Sequence, residues 1–314
     1  MQSSELPSET DLDKWMTSLS NWNRWGEDDQ LGTLNHITPE RRAAAARLVT
    51  DGVTIGCSRL ISYETAADVP HAADHYMTSS GDAYRPGEGP NLQMAADYFG
   101  LIFHGNGVTH LDSLSHFFWD GRMYNGFPST LVSNSEGAKS LSIDVVRDAI
   151  VGRALLVDVP RLRGIDVVPR KESVRLSDIE AAERECGFEV GPGDILMIRT
   201  GQIGHRKVTG PLNPLLTGSA GPDPELLPFF HERRISVIAC DGPNEVYPSR
   251  YEKYTAPIHQ IGIVAMGLWL LDHVDMEELS RACASRNRWE FMMTVSPLRI
   301  FNGTGSPVNP IAVF

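Results

Sequence analysis

The segment 101–121, LIFHGNGVTHLDSLSHFFWDG, is the most informative stretch of the chain. Three histidines, an asparagine and an aspartate of this segment stand at even-numbered positions: His104, Asn106, His110, Asp112 and His116. Side chains alternate between the two faces of a β-strand, so these groups can face one side wherever the backbone is extended. His110 and Asp112 form the tightest such pair. Imidazole and carboxylate together suit a divalent transition ion, and the segment therefore predicts a metal site.

The reaction that this segment suggests is metal-assisted hydrolysis. An ion held by few protein ligands keeps coordination positions open, and water there becomes a nucleophile near neutral pH. Histidines in aromatic-rich strands are also often core or surface residues without a ligand role, and among the three histidines this alternative fits His104 best.

Positions 106–116 lie on the signature H-x-G-T-H-x-D-x-P-x-H. The last three ligand positions of the signature are present as His110, Asp112 and His116, whereas Asn106 replaces the first histidine. These residues resemble the cyclase family of metal-dependent hydrolases, which includes bacterial kynurenine formamidase and isatin hydrolase. Other segments look like the longer-chain branch of this family, so the resemblance covers most of the chain: 21–35, 193–201, 257–259 and 303–314.

The resemblance implies a swivelling β/β/α fold, one or two Mn²⁺ or Zn²⁺ ions, and hydrolysis of an amide, a cyclic amide or a lactone of a small molecule. It implies metal ligands at His110, Asp112 and His116, and at Asp272, where family members usually carry glutamate. His259 matches the second-site histidine of the family. His116 or His259 would move protons to the leaving nitrogen or oxygen. A homodimer or homotetramer is also implied.

The asparagine at position 106 leaves several outcomes open. Asn106 can be a weak oxygen ligand, which favours manganese or another oxygen-tolerant ion over zinc. It can instead hydrogen-bond a metal water or the substrate, while His104 takes over coordination. In a third outcome the ligand set is depleted, and the chain is a non-catalytic small-molecule binder. A metal-dependent lyase or true cyclase, in which the ion stabilises an enolate, is the other rival function.

Aromatic residues near the motif suggest a pocket for a flat or cyclic ligand, although such residues also pack in protein cores. The predicted substrate-contacting side chains are Trp25, His104, Phe118 and Trp119. Asp241 and Glu245 follow the apolar run 235–239 and would lie at the end of a buried strand, where ligands bind in open α/β sheets. Either could orient a catalytic histidine or a water, and Asp241 is the candidate that we keep for this role. The alternative is that Asp241 and the nearby proline only stabilise a turn.

Composition and charge restrict the class of function. The chain has 314 residues, with 40 acidic and 28 basic side chains and a net charge of −12. No basic cluster occurs, which argues against nucleic acid and anionic membranes and favours small molecules as partners.

The four cysteines form no C-x-x-C pair, so we expect reduced thiols. No apolar run reaches the length of a membrane span, and the cytoplasm is the expected location. The motifs of serine hydrolases, nucleotide-binding enzymes and dinucleotide-dependent oxidoreductases are absent from the sequence.

The order of predicted elements favours an α/β fold. Residues 1–20 predict an N-terminal arm, and 21–314 predict one cyclase-like domain. Thr38 predicts an N-cap for a helix over 41–49, with Pro39 at its first position. Strands are predicted at 53–61, 154–159, 194–199, 235–240 and, as the last strand, 289–295. Their alternation with helices predicts layers around a partly parallel sheet.

Two local features complete the sequence-based expectations. Residues 66–91 are rich in Asp, Gly, Pro and His with little periodicity, and they predict a long loop. Ser177 and Glu180 predict a capping box for the helix that ends before Gly187.

Overall fold

The computed structural model describes residues 6–83, 85–89 and 93–314. Within them the strands β1 to β15 are, in chain order, Thr54–Gly56, Asp74–Ser79, Ala96–Gly100, His110–Asp112, Val132–Ser133, Gly137–Ala138, Ile150–Asp158, Ser173–Val174, Ile195–Arg199, Gly221–Pro222, Val237–Cys240, Trp269–Asp272, Glu290–Val295, Gly305–Pro307 and Ile311–Val313. The helices α1 to α8 are Glu9–Ser18, Pro39–Ala46, Val159–Arg163, Leu176–Cys186, Gln202–Thr209, Pro214–Thr217, Leu226–Arg233 and Glu277–Arg286. A π-helix spans Ile258–Met266, and short 3₁₀ turns lie at Gly32–His36, Gly81–Ala83, Tyr124–Gly126, Ser129–Leu131 and Ile143–Val146.

One mixed sheet organises the chain, with nine strands in the order β1-β15-β13-β7-β9-β11-β12-β4-β14 among the described residues. Its centre, β7-β9-β11-β12, is parallel, and the flanking pairs are antiparallel. β11 and β12 are buried at every residue, as their continuous apolar sequences require of strands covered on both faces. The predicted α/β class with a partly parallel sheet is confirmed.

The caps of two helices test the local sequence signals. α2 begins as predicted: the Thr38 side chain accepts a hydrogen bond from the Arg41 backbone, and Pro39 is the first helical residue. The predicted capping box of α4 is wrong, because this helix begins at Leu176, two residues before the start that Ser177 as N-cap would give. The Asp178 side chain accepts a hydrogen bond from the backbone N–H of Arg175 at 2.7 Å and takes the place assigned to Glu180.

Three further predictions of elements are wrong. The predicted loop 66–91 contains β2, which pairs with β3 in an antiparallel hairpin; position 84 and positions 90–91 of that loop lie outside the described residues. The predicted strand 53–61 is limited to the three residues of β1. The predicted last strand, β13, is followed by β14 and β15, which are too short for an alternating pattern and contain residues that strands usually avoid.

The described part of the N-terminal arm packs on the rest of the chain. Leu12 of α1 is fully buried. The hydroxyl of Tyr251 donates to the Pro7 carbonyl at 2.8 Å, and that of Tyr254 donates to the Asp13 carboxylate at 2.7 Å. Positions 1–5 of the predicted arm lie outside the described residues. In the part of the chain that the structure covers, no helix combines the length and apolarity needed to cross a membrane.

Candidate metal centre

The short strand β4 carries two of the predicted ligands and lies between β12 and β14. Its register places His110 opposite Asp272, the last residue of β12, and Asp112 opposite Gly305. His110 and Asp112 are two residues apart, so both side chains face the same side, and His110 Nε2 lies 3.5 Å from Asp112 Oδ1. A Cβ atom at Gly305 would lie 2.9 Å from His104 Cε1, so the close approach at this position requires glycine.

Two further histidines reach Asp112 from turns. His104 Nδ1 lies 3.0 Å and His116 Nε2 lies 3.9 Å from Asp112 Oδ1. The two imidazole rings stack with their centroids 3.8 Å apart. The even-number argument is wrong for both residues, because the backbone bends around 104–108 and 114–116 and is not extended there. Folding of the turns, and not strand alternation, brings these rings together.

The π-helix supplies the next side chain. It begins at Ile258, directly after Pro257, and carries His259 in its first turn. His259 Nε2 lies 3.6 Å from Asp112 Oδ2 and 3.5 Å from Asp272 Oδ2. Its Nδ1 lies 3.0 Å from Glu245 Oε1, and its backbone N–H donates to the same oxygen at 2.8 Å. Glu245 therefore holds the Nδ1 proton and leaves Nε2 facing the two aspartates.

Other hydrogen bonds orient the remaining ligands. His110 Nδ1 lies 2.9 Å from the Val108 carbonyl oxygen, an acceptor, so this nitrogen carries the proton and Nε2 presents its lone pair to Asp112. The Asn244 side-chain amide donates to Asp272 Oδ1 at 2.5 Å, which turns Oδ2 towards His259. Contacts of this kind fix the tautomers and orientations of metal ligands in proteins.

The donor set fits a divalent metal ion. Two groups of side chains have ligand atoms within 4.8 Å of one another, and both include Asp112: His104, Asp112 and His116; and His110, Asp112 and Asp272. Asp112 is buried, and neither of its carboxylate oxygens accepts a hydrogen bond from the described residues. A buried carboxylate is strongly unfavourable unless its charge is compensated, and a cation between these groups would supply that compensation. Imidazole nitrogens with carboxylate oxygens are ligands that Zn²⁺ and Mn²⁺ accept.

The electrostatics of the centre agree with this fit. Burial opposes ionisation of Asp112, but neighbouring imidazoles outweigh it and hold the pKa of its carboxyl below the ordinary value. Burial likewise opposes ionisation of Asp272, and His259 beside it lowers the pKa of that carboxyl. Burial lowers the pKa of His116 to about 4, so its ring is neutral at pH 7. For His259, burial is outweighed by Asp272 and Glu245, which raise the pKa of its ring well above the usual value.

Asn106 stands apart from these two groups. Its backbone carbonyl accepts a hydrogen bond from Arg59, and the residue lines a separate cavity together with His273. His104 is the residue that lies beside Asp112. This position favours the outcome in which His104 takes over coordination from Asn106, and that assignment stays a prediction.

The predicted aromatic contacts are only partly brought to the centre. The ring of Phe117 lies 5.0 Å from that of His116, so Phe117 forms the aromatic wall. Its neighbour Phe118 is 43% exposed. Trp119 stacks on Tyr254 with 4.8 Å between the ring centroids, and the hydroxyl of Tyr254 donates to Asp13 of α1.

Trp25 is not brought to the metal centre. Its ring packs edge-on against His36 at 5.0 Å. The His36 carbonyl lies against Gly193, where an added Cβ would be 2.8 Å from that oxygen. Gly193 precedes β9 and marks the amino end of the parallel strands, whereas Asp272 stands at their carboxyl end. The number of residues between Trp25 and the motif at 104–116 did not indicate that the two would lie at opposite ends of the parallel strands.

Asp241 and Glu245 have different roles. The Asp241 carboxylate accepts hydrogen bonds from the backbone N–H groups of Thr200, Gly201 and Gln202, and so holds the first turn of α5. Glu245, four residues later, is the carboxylate that orients His259. The sequence placed both after the same strand, but it contained no signal that separates the two.

Comparisons with known proteins show the family and the fold. The Cyclase family model matches residues 61–245. A crystal structure described as a novel cyclase has 32% identity and a TM-score of 0.85, covering 95% of this chain and 100% of its own. Isatin hydrolase A from Ralstonia solanacearum has 17% identity and a TM-score of 0.59, covering 83% of this chain and 92% of its own. A predicted metal-dependent hydrolase from Bacillus stearothermophilus has 10% identity and a TM-score of 0.51, covering 83% and 97%. The last two show likeness of fold alone. No curated protein matches the chain.

Proposed function

The chain belongs to the Cyclase family, and from this premise we propose that it is a metal-dependent hydrolase that opens an amide, a cyclic amide or a lactone of a small molecule with water. The observation that carries the proposal is Asp112. This carboxylate is buried, lies 3.0–3.9 Å from imidazole nitrogens of four histidines, and is common to both groups of metal-ligating side chains.

The two groups differ in exposure, and this suggests different roles. His110, Asp112 and Asp272 are all buried and would hold the principal Mn²⁺ or Zn²⁺ ion. The side chains of His104 and His116 are each about a quarter exposed and would hold a second, weaker ion with Asp112. A bound divalent ion supplies a Lewis acid that polarises a carbonyl group and lowers the pKa of water.

The residues of the chain supply proton transfer and orientation. Glu245 fixes the His259 ring with Nε2 facing the two aspartates, where it can donate a proton to the leaving nitrogen or oxygen. When no ion occupies this second group, the neutral His116 stands on the open side and its Nε2 can accept a proton from the attacking water. Phe117 contacts both rings and excludes water from one side of them.

The class of substrate follows from fold likeness together with this aromatic wall. Isatin hydrolases share the fold, and one of them was solved with the product analogue thioisatinate. A planar cyclic amide would lie against the Phe117 ring with its carbonyl towards the aspartates. We therefore place planar lactams, and lactones of similar size, first among the compounds to test.

The test is a mass measurement on turnover. Metal-loaded protein is incubated with a panel of planar lactams and lactones, isatin included, and products are identified by mass spectrometry. We expect at least one product heavier than its substrate by one water, and loss of its formation in His110→Ala. The matched control is His71→Ala, which removes an exposed histidine outside the centre. Products of unchanged mass, or full turnover by His110→Ala, would contradict a metal-dependent hydrolase.

A further inference from the structure

A small cavity next to the metal centre carries an excess of positive charge. It has a volume of about 50 Å³ and lies between the loop before β4, the end of β12 and the first turn of α5. Roughly 10–15 Å³ measured in this way holds one water molecule. The cavity therefore has room for a small functional group. Three guanidinium groups line it, those of Arg59, Arg170 and Arg206.

The cavity and the metal centre share part of their walls. His273 lines the cavity, follows Asp272 directly, and its ring lies 6.2 Å from the ring of His110. Asn106, which replaces the first histidine of the family signature, lines the same cavity only two residues after His104. The cavity and the metal centre are therefore neighbouring sites, with the buried His273 ring between them.

The neighbouring carboxylates do not neutralise all three arginines. Asp68 Oδ1 accepts a hydrogen bond from Arg206 at 2.9 Å, and Asp68 Oδ2 lies 3.4 Å from Arg59. Asp241 also lines the cavity, but its oxygens accept hydrogen bonds from the backbone at the start of α5. One carboxylate is thus shared by two guanidinium groups, and the second carboxylate is occupied by the helix.

Arg170 carries the remaining positive charge. Its Nη1 donates to the Thr217 hydroxyl at 2.9 Å and to the Gly218 carbonyl at 2.6 Å, which fixes the guanidinium in place. No carboxylate oxygen of the described residues lies within 4.0 Å of its nitrogens, which distinguishes it from Arg59 and Arg206. A guanidinium held in position by neutral acceptors is prepared to bind an anion, because planar carboxylates match its donor geometry.

We propose that this cavity binds a carboxylate group of the molecule that is hydrolysed, with Arg170 as its principal partner and Asn106 beside it. The inference rests on the proposed function, since it assigns the second group to the same substrate. It narrows the substrate class to amides, cyclic amides or lactones that carry a carboxylate close to the scissile carbonyl. It also gives Asn106 a place in substrate recognition instead of metal binding.

Acetate is the probe that matches the size of the cavity, and acetamide is its neutral isostere. Binding of each to the metal-loaded full chain is measured by titration calorimetry at millimolar concentration. We expect acetate to bind at least tenfold more tightly than acetamide. Arg170→Met is expected to weaken acetate binding about tenfold, whereas Arg170→Lys should retain most of it. Arg299→Met, a surface control in which the lost partner of Asp144 lies outside the cavity, should leave acetate binding unchanged. Equal melting temperatures of the variants exclude misfolding.

A second comparison separates the cavity from the metal. His110→Ala is expected to keep acetate binding that depends on Arg170. Loss of acetate binding in His110→Ala together with normal binding in Arg170→Met would show that acetate binds the metal, and would overturn the proposal. Equally tight binding of acetamide, or no binding of acetate, would also overturn it. Arg170-dependent binding in a protein that hydrolyses no lactam or lactone supports the anion site and refutes the proposed function alone. Equal turnover of matched substrates with and without a carboxylate refutes the anion site alone.

Discussion

Replacing Glu245 with glutamine tests how far the orientation of His259 matters for turnover. Glu245 Oε1 accepts two hydrogen bonds from His259, at 2.8 Å from the backbone N–H and at 3.0 Å from Nδ1. Glutamine has the same shape, so its amide oxygen can accept both bonds. What the substitution removes is the negative charge behind the imidazole and, with it, part of the cause of the raised pKa of His259.

The size of the effect follows from the strength of the two kinds of hydrogen bond. A hydrogen bond to a charged group contributes about 1.5–3 kcal/mol and one between neutral groups about 0.5–1.5 kcal/mol. The difference, about 1.4 kcal/mol, corresponds to roughly a tenfold change in rate. Glu245 Oε2 is buried without a hydrogen-bond donor among the described residues, and in Glu245→Gln an uncharged amide NH₂ takes its place. We therefore expect kcat/KM to fall about tenfold or more in Glu245→Gln.

The assay is steady-state hydrolysis of the best substrate in the lactam and lactone panel, with metal content and melting temperature measured on the same samples. Glu278→Gln, at an exposed glutamate of α8, is the matched control and should be unchanged. We expect normal metal content and folding in Glu245→Gln, with the loss confined to turnover. A kcat/KM within twofold of the parent protein would refute the assignment of proton transfer to a His259 held by Glu245.

Three other predictions concern metal, acid and thiols. Asp112→Asn should abolish bound metal as measured by plasma mass spectrometry, whereas Asp272→Asn should remove only the ion of the buried group. Full metal content in Asp112→Asn would contradict the assignment of Asp112 as a ligand shared by both groups. Burial opposes ionisation of Asp223, but Arg250, with both hydrogen bonds at 2.8 Å, holds the pKa of this carboxyl below its ordinary value. The ion pair of Asp223 with Arg250 therefore stabilises the protein at neutral pH and is lost in acid. Asp223→Asn should lower the free energy of unfolding by about 2 kcal/mol at pH 7. In urea titrations the difference from the parent protein should shrink below about pH 5. With a thiol reagent at pH 8 the native protein should react slowly and only at Cys186, the half-buried cysteine, whose pKa burial raises to about 11; rapid reaction of a second thiol would contradict the packing.

The elements that the sequence predicted well are those governed by local interactions. The helix α2 was predicted because Thr38 and Pro39 act within one turn of chain. The strands β7, β9, β11 and β13 were predicted because long apolar or alternating runs have few alternatives. Two- and three-residue strands such as β14 were missed, because their pairing partners, and not their own residues, make them strands.

The candidate site divides in the same way. The sequence determined that His110 and Asp112 face one side, because alternation along a strand is a property of the backbone itself, and the signature around them indicated the family. Only the tertiary structure decided that Asp272 stands opposite His110, that His104 and not Asn106 lies beside Asp112, and that Glu245 rather than Asp241 holds His259. Those choices depend on strand register and on how turns fold back across the sheet. They are set by packing between distant segments, which no local pattern of residues encodes.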